Sequence, residues 1–156
     1  GGLRGGAGDD RLHGGTGNDR LRGGDGDDQL TGGADDDRLK GEDGDDLLRG
    51  GEGVDRLRGG PGDDTFVFKD LRDSGLGVEA DRILDFGDGD DSVDLSGLAE
   101  DLSFDEGGLS GTGPSFTLDE SGGDTRVKVD VDGDGAADLE IIIDGVTGLG
   151  EDAFIF

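Results

Sequence analysis

The chain has 156 residues, 37 of them glycine and only 29% hydrophobic, and its 41 acidic against 14 basic side chains give a formal charge of −27. That balance excludes nucleic acid as a general partner and an apolar core as the sole source of stability. Without cysteine, and with His13 as the one histidine, disulfides, thiolate chemistry and a histidine-rich zinc site are excluded too.

Ordering a backbone costs about 1 to 2 kcal/mol per residue and most for glycine, so a bound hard cation is the natural source of the missing stability. No stretch reaches the roughly 18 apolar residues of a membrane span. No basic-then-apolar leader opens the chain, so an export signal is expected elsewhere.

From Gly5 to Val67 the sequence repeats with a period of nine and no gap: GGAGDDRLH, GGTGNDRLR, GGDGDDQLT, GGADDDRLK, GEDGDDLLR, GGEGVDRLR and GGPGDDTFV. Position six is always aspartate (Asp10, Asp19, Asp28, Asp37, Asp46, Asp55, Asp64), and position eight is leucine until Phe66. Glycines at positions one, two and four permit turns that bring carbonyls toward an ion, among them Gly5, Gly14 and Gly23 at position one and Gly8, Gly17, Gly26, Gly44 and Gly62 at position four. Only the three residues centred on the leucine are predicted as strand. Each unit is then half a turn of a coil, and residues 18 apart stack with the strand spacing of about 4.8 Å.

In that coil Leu12, Leu30, Leu48 and Phe66 line one sheet and face Leu21, Leu39 and Leu57 on the other. Each buried anchor contributes about 1.5 to 3 kcal/mol, too little to order the repeats. Stacking pairs Asp10 with Asp28, Asp28 with Asp46 and Asp46 with Asp64 on one edge, and Asp19 with Asp37 and Asp37 with Asp55 on the other. About five calcium sites are predicted, each from two carboxylates and glycine-loop carbonyls, with folding and binding a single event. Glu42 at a second position and Asp35 at a fourth break the pattern, so sites at those loops are expected to be distorted.

Charges within the repeats are segregated. Arg20, Arg22, Arg38, Lys40, Arg56 and Arg58 flank the leucines of one sheet and are predicted to form an outward ladder of six cations, against Arg11, His13 and Arg49 on the other. Stacked like charges invite an anionic partner such as a polyuronate. The alternative is that they balance the adjacent aspartate loops.

The nonapeptide array resembles the repeats-in-toxin (RTX) family of Gram-negative bacteria, which implies a right-handed parallel β-roll loaded with calcium. After Phe68, apolar alternation around Ile83 to Phe86, Val93 to Leu95, Phe116 to Leu118, Val127 to Val131 and Leu139 to Ile143 predicts strands of an antiparallel β cap. The chain is thus expected to be all-β, with a roll over 1–68 and a cap over 69–156. TFVF, DRILDFGDGDDSVDLSGL, DVDGDGAADLEIII and the terminal EDAFIF are similar to the C-terminal domain of serralysin-type metalloproteases and to the repeat modules of mannuronan C5-epimerases. That resemblance implies a secreted module exported by type I secretion machinery, with Asp152 to Phe156 as part of an uncleaved signal; a monomeric module is expected.

Asp130, Asp132, Asp134, Gly135 and Asp138 follow the opening of an EF-hand loop, but Ile141 stands where the bidentate glutamate belongs. One further calcium ion there, or an ion-free aspartate-glycine turn, both fit. Asp85, Asp88, Asp90 and Asp91 read as a solvated turn. Acids at every ninth residue are explained by metal ligation, so the module itself is not expected to be an enzyme.

Overall fold

The computed structural model describes residues 1–87 and 89–156; Asp88, expected in the solvated turn, lies outside them. Strands β1 (Gly2–Ala7), β2 (Arg11–Thr16), β3 (Arg20–Asp25), β4 (Gln29–Ala34), β5 (Arg38–Asp43) and β6 (Leu47–Glu52) each have six residues, whereas β7 (Arg56–Arg58) and β8 (Thr65–Val67) have three. Most strands thus exceed the expected three residues. The ladder carries on through the glycines, pairing Gly6 with Gly24 and Gly15 with Gly33 before the chain turns.

Odd-numbered strands form one sheet and even-numbered strands the other, all in parallel, each residue opposite the one 18 further on. Leu21, Leu39 and Leu57 form one buried column, facing Leu30, Leu48 and Phe66. This is a parallel β-roll with two repeats per turn.

Seven strands follow: β9 (Asp81–Ile83), β10 (Ser92–Asp94), β11 (Ser103–Phe104), β12 (Ser115–Asp119), β13 (Thr125–Asp130), β14 (Leu139–Ile143) and β15 (Phe154–Ile155). The first two were expected in an antiparallel cap, but β9 pairs in parallel with β7, Ile83 opposite Leu57, and β10 with β8, Val93 opposite Phe66. The stack therefore passes residue 68 and gains a rung in each sheet. The cause is local sequence: Asp81–Arg82–Ile83 reproduces Asp55–Arg56–Leu57, and GDGDDSV from Gly87 keeps the glycine, aspartate and apolar positions of GPGDDTF from Gly60.

Among the described residues antiparallel pairing is confined to β12 with β13 and β13 with β14, a meander joined to the roll through the parallel pair β14 and β9. One sheet therefore runs β1-β3-β5-β7-β9-β14-β13-β12-β11 and the other β15-β10-β8-β6-β4-β2. The core is continuous from roll to cap: Ile83, Ile141 and Ile143 extend the leucine column, and Phe116 meets Phe104, Phe154 and Phe156 at ring-centroid distances of 5.2, 5.1 and 4.9 Å. The connection from Phe68 to Ala80 crosses between the sheets and is held by Arg49, which donates to both carboxylate oxygens of Asp73 at 3.0 and 2.9 Å.

The two irregular repeats keep the glycine backbone. Asp35 and Glu42 have φ of 77° and 86°, left-handed values like those of Gly44 (132°) and Gly24 (131°) at the equivalent positions. A side chain there costs about 1 to 3 kcal/mol, which neighbouring rungs hold in place.

Candidate functional site

The loops joining the strands carry two interleaved aspartate ladders. At position six, Oδ1 of each aspartate accepts the N–H of the aspartate one rung before it: Asp10 donates to Asp28, Asp28 to Asp46 and Asp46 to Asp64, at 2.7, 2.8 and 2.9 Å. Along the other edge Asp19 donates to Asp37 and Asp37 to Asp55, at 2.7 and 2.8 Å. The structure thus brings together all five predicted pairs.

Both ladders continue beyond the repeats. Asp55 donates to Asp81 and Asp64 to Asp91, at 2.8 and 2.9 Å, and Asp85 accepts the N–H of Gly59 at 3.0 Å. Asp91 is buried and Asp85 half-buried, so the solvated turn expected there is corrected at these two residues, whereas Asp90 is exposed as expected; Asp81 is buried as well. These residues continue the aspartate edges because their strands stack in register on the last repeats. The signal was present in the aspartates that precede the apolar residues Ile83 and Val93 with the repeat's own spacing.

Position five forms a second ladder of opposite polarity. Asp9, Asp27, Asp45 and Asp63 accept the N–H of the residue one rung after them, Asp27, Asp45, Asp63 and Asp90, at 3.1, 2.9, 2.9 and 2.9 Å. The variable residue before the constant aspartate thus has a job that residue identity alone did not reveal.

The other oxygen of each position-six carboxylate defines the candidate metal site. Oδ2 of Asp19, Asp28, Asp37, Asp46, Asp55, Asp64 and Asp81 is buried and, among the described residues, has no hydrogen-bond partner. Each repeat aspartate points this oxygen at the position-one glycine of its own unit. A methyl group built on Gly23 would collide with Asp28 Oδ2 and the Gly41 carbonyl oxygen, and one on Gly41 with Asp46 Oδ2 and the Gly59 carbonyl oxygen; Gly14 and Gly32 sit likewise beside Asp19 and Asp37. Gly5 lies against Asp10 in the same way. At position four, Gly8, Gly17, Gly26, Gly44 and Gly62 all turn with positive φ, between 88° and 135°. Carboxylate and carbonyl oxygens converge where no side chain fits, a hard donor set of the kind calcium takes.

Burial pushes the carboxyls of Asp37 and Asp46 up to about 6, of Asp55 and Asp64 to about 7 and of Asp81 to about 9, and neighbouring aspartates push the same way. Asp28 is raised for the same reason. A buried unpaired carboxylate is costly, and a divalent cation removes that cost for two at once. The residues present therefore fit calcium.

The loop between β13 and β14 brings three of its four candidate aspartates together, with ligand oxygens of Asp130, Asp132 and Asp138 within 4.8 Å of one another. Asp134 is not among them; it turns away to accept the N–H of Ala136 at 2.8 Å. Asp130 accepts from Gly133 and Gly135, and Asp138 from Val131, so these carboxylates already serve the turn.

The basic ladder is in register. Arg20, Arg38 and Arg56 stack and continue into Arg82; Arg22, Lys40 and Arg58 stack behind Arg4. Lys40 pairs with Glu42 at 3.1 Å, Arg58 lies 3.8 Å from Asp85, and Arg82 is taken by Asp144. Among the described residues no carboxylate pairs with Arg20, Arg22, Arg38 or Arg56, and the six cations line a shallow depression of about 330 Å³ with Leu39 and Leu84. Local balancing thus takes Lys40, Arg58 and Arg82 and leaves Arg20, Arg22, Arg38 and Arg56 open.

A family model described as the RTX calcium-binding nonapeptide repeat (4 copies) matches residues 4–39 and 31–66. Among solved structures, the chain is similar to the AlgE6R3 subunit of the Azotobacter vinelandii mannuronan C5-epimerase, at 35% identity and a TM-score of 0.55, over 96% of this chain and 79% of that one. It is also similar to the AlgE6R2 subunit of the same epimerase, at 34% identity and a TM-score of 0.56, over 99% and 91%. No curated protein matches by sequence. The repeats, the parallel β-roll with its paired aspartates and these likenesses agree: the chain belongs to the RTX family of calcium-binding nonapeptide-repeat proteins.

Proposed function

We propose that the chain is a non-catalytic module that folds on extracellular calcium, supporting type I secretion and the stability of a larger secreted bacterial protein. The observation that carries this is the set of seven buried carboxylate oxygens without a hydrogen-bond partner among the described residues, which a bound cation would satisfy. At low calcium the like charges oppose stacking and the chain stays open for export; millimolar calcium outside the cell closes it. In the folded state Phe154 of the C-terminal segment is buried in β15, while Asp152, Ile155 and Phe156 stay exposed.

Circular dichroism through a calcium titration tests the coupling. A cooperative gain of β signal is expected between excess chelator and millimolar calcium; a full β spectrum in chelator would sink the proposal.

A second reading rests on the four arginines of the ladder left unpaired among the described residues, Arg20, Arg22, Arg38 and Arg56: the same module holds a polyuronate such as alginate, presenting cations at the rung spacing to a chain with one carboxylate per sugar. The likeness to subunits of a mannuronan C5-epimerase points the same way. In an alginate affinity gel at saturating calcium and low salt the module should be retarded. Retardation should fade as salt screens the charges and vanish in Arg38→Glu/Arg56→Glu. Unchanged mobility of the wild type at low salt would end this reading.

A further inference from the structure

The aspartate ladder on the edge that carries Asp19, Asp37 and Asp55 does not stop where the repeats stop. Asp81 follows Asp55 after a 26-residue interval and belongs to no nonapeptide, yet its Oδ1 takes the Asp55 N–H as a repeat aspartate would. Its own N–H goes to Ser74 Oγ at 2.8 Å, and Ser74 in turn donates to the Glu140 carbonyl, so the ladder ends there, against the cap.

Both carboxylates of this last pair are 0% exposed, and Oδ2 of each has no hydrogen-bond partner among the described residues. Nor does a cation reach them: Arg49 is committed to Asp73 and Arg82 to Asp144. Asp73, a buried acid whose charge reaches both, is satisfied by Arg49 and by the N–H groups of Lys69 and Asp70. Two buried carboxyl oxygens on adjacent rungs are thus left without a protein partner among the described residues.

The opposite edge ends differently. Asp91 accepts the Asp64 N–H through Oδ1 and the Gly87 N–H through Oδ2, so both its oxygens are engaged.

We propose that the Asp55–Asp81 pair binds a calcium ion beyond those of the repeats, and that this ion ties the roll to the cap through β9, on which β14 is paired. The proposal rests on the repeats themselves binding calcium. It makes the cap meander dependent on calcium although its own strands contain no repeat.

The ion count per chain, read by native mass spectrometry at saturating calcium, is the test. Asp81→Asn, which can still accept the Asp55 N–H, is expected to bind one ion fewer than wild type. Its amides in Leu139–Ile143 should exchange with deuterium at least tenfold faster. Asp94→Asn removes the same charge from a strand residue that accepts from Ser96, and should change neither. If Asp81→Asn fails to fold, Asp55→Asn serves instead, since it belongs to two pairs and should lose two ions. An unchanged count in Asp81→Asn, or loss of a single ion in Asp55→Asn, overturns the proposal. A wild type that binds no calcium at all would instead overturn the reading of the repeats.

Discussion

Replacing Asp37 by asparagine is expected to raise the calcium concentration at the folding midpoint by at least about tenfold and to lower cooperativity, because the residue faces a partner on both sides. Asp19 lies one rung before it and Asp55 one rung after. Asparagine keeps an oxygen for the Asp19 N–H but removes the charge from both pairs, and a ligand carboxylate matters at least as much as the outer partners whose loss costs about 10- to 100-fold in affinity. Asp10→Asn, at the first pair of its edge, should shift the midpoint less. Calcium titrations of the two variants followed by circular dichroism check this; equal shifts would mean that the pairs do not share their aspartates.

In excess chelator the chain is expected to be more ordered near pH 5 than at pH 8, the reverse of ordinary acid denaturation. The sign follows from the folded state holding the carboxyls of Asp37, Asp46, Asp55, Asp64 and Asp81 at about 6 to 9 against an ordinary 3.8. Groups raised in this way add stability that is complete below the unfolded value and is lost as pH climbs through the folded values, here between about pH 4 and 9. Protons would then do part of calcium's work by neutralising the buried columns.

Three contributions run the other way. Glu42, held low by Lys40, Asp70, held low by Arg72, and Asp119, held low by Lys128, favour folding above their unfolded values, and that stability is lost in acid. They are separate surface contacts against two buried columns. Circular dichroism with sedimentation to exclude aggregates would decide the matter, and greater order at pH 8 than at pH 5 in chelator would contradict the burial of the columns. With calcium present the dependence should invert, since protons then compete for the ligands.

The roll was legible because every unit carries the same information at the same phase. Gly23, Asp28 and Leu30 each have a fixed task, and a nine-residue period with one apolar anchor leaves a half-turn coil as the only arrangement that stacks all of them. The register of 18, the two leucine columns and the five aspartate pairs follow from that alone.

What escaped the reading lies where the phase is broken. The crossing from Phe68 to Ala80 displaces Asp81 from the nine-residue count, and Phe86 occupies a glycine slot ahead of Asp91, so two true rungs looked like ordinary cap strands. The position-five ladder was hidden for another reason: aspartate, asparagine and valine all occur there, and only the backbone spacing shows that Asp27 reaches the next rung. At Asp134 the spacing suggested a ligand, whereas the turn itself uses the side chain.

The opposed polarity of the two aspartate ladders turns the roll into a linear chain of units, each coupled to its neighbours on both sides. In such a chain the damage done by one lesion depends on its address. A break near Asp37 or Asp46 leaves two short arrays, each with a new exposed end, whereas the same break at Asp10 trims a terminus. A map of midpoint shift against residue number should therefore be peaked in the middle and low at the N-terminal end, with its C-terminal flank held up by the rungs at Asp81 and Asp91.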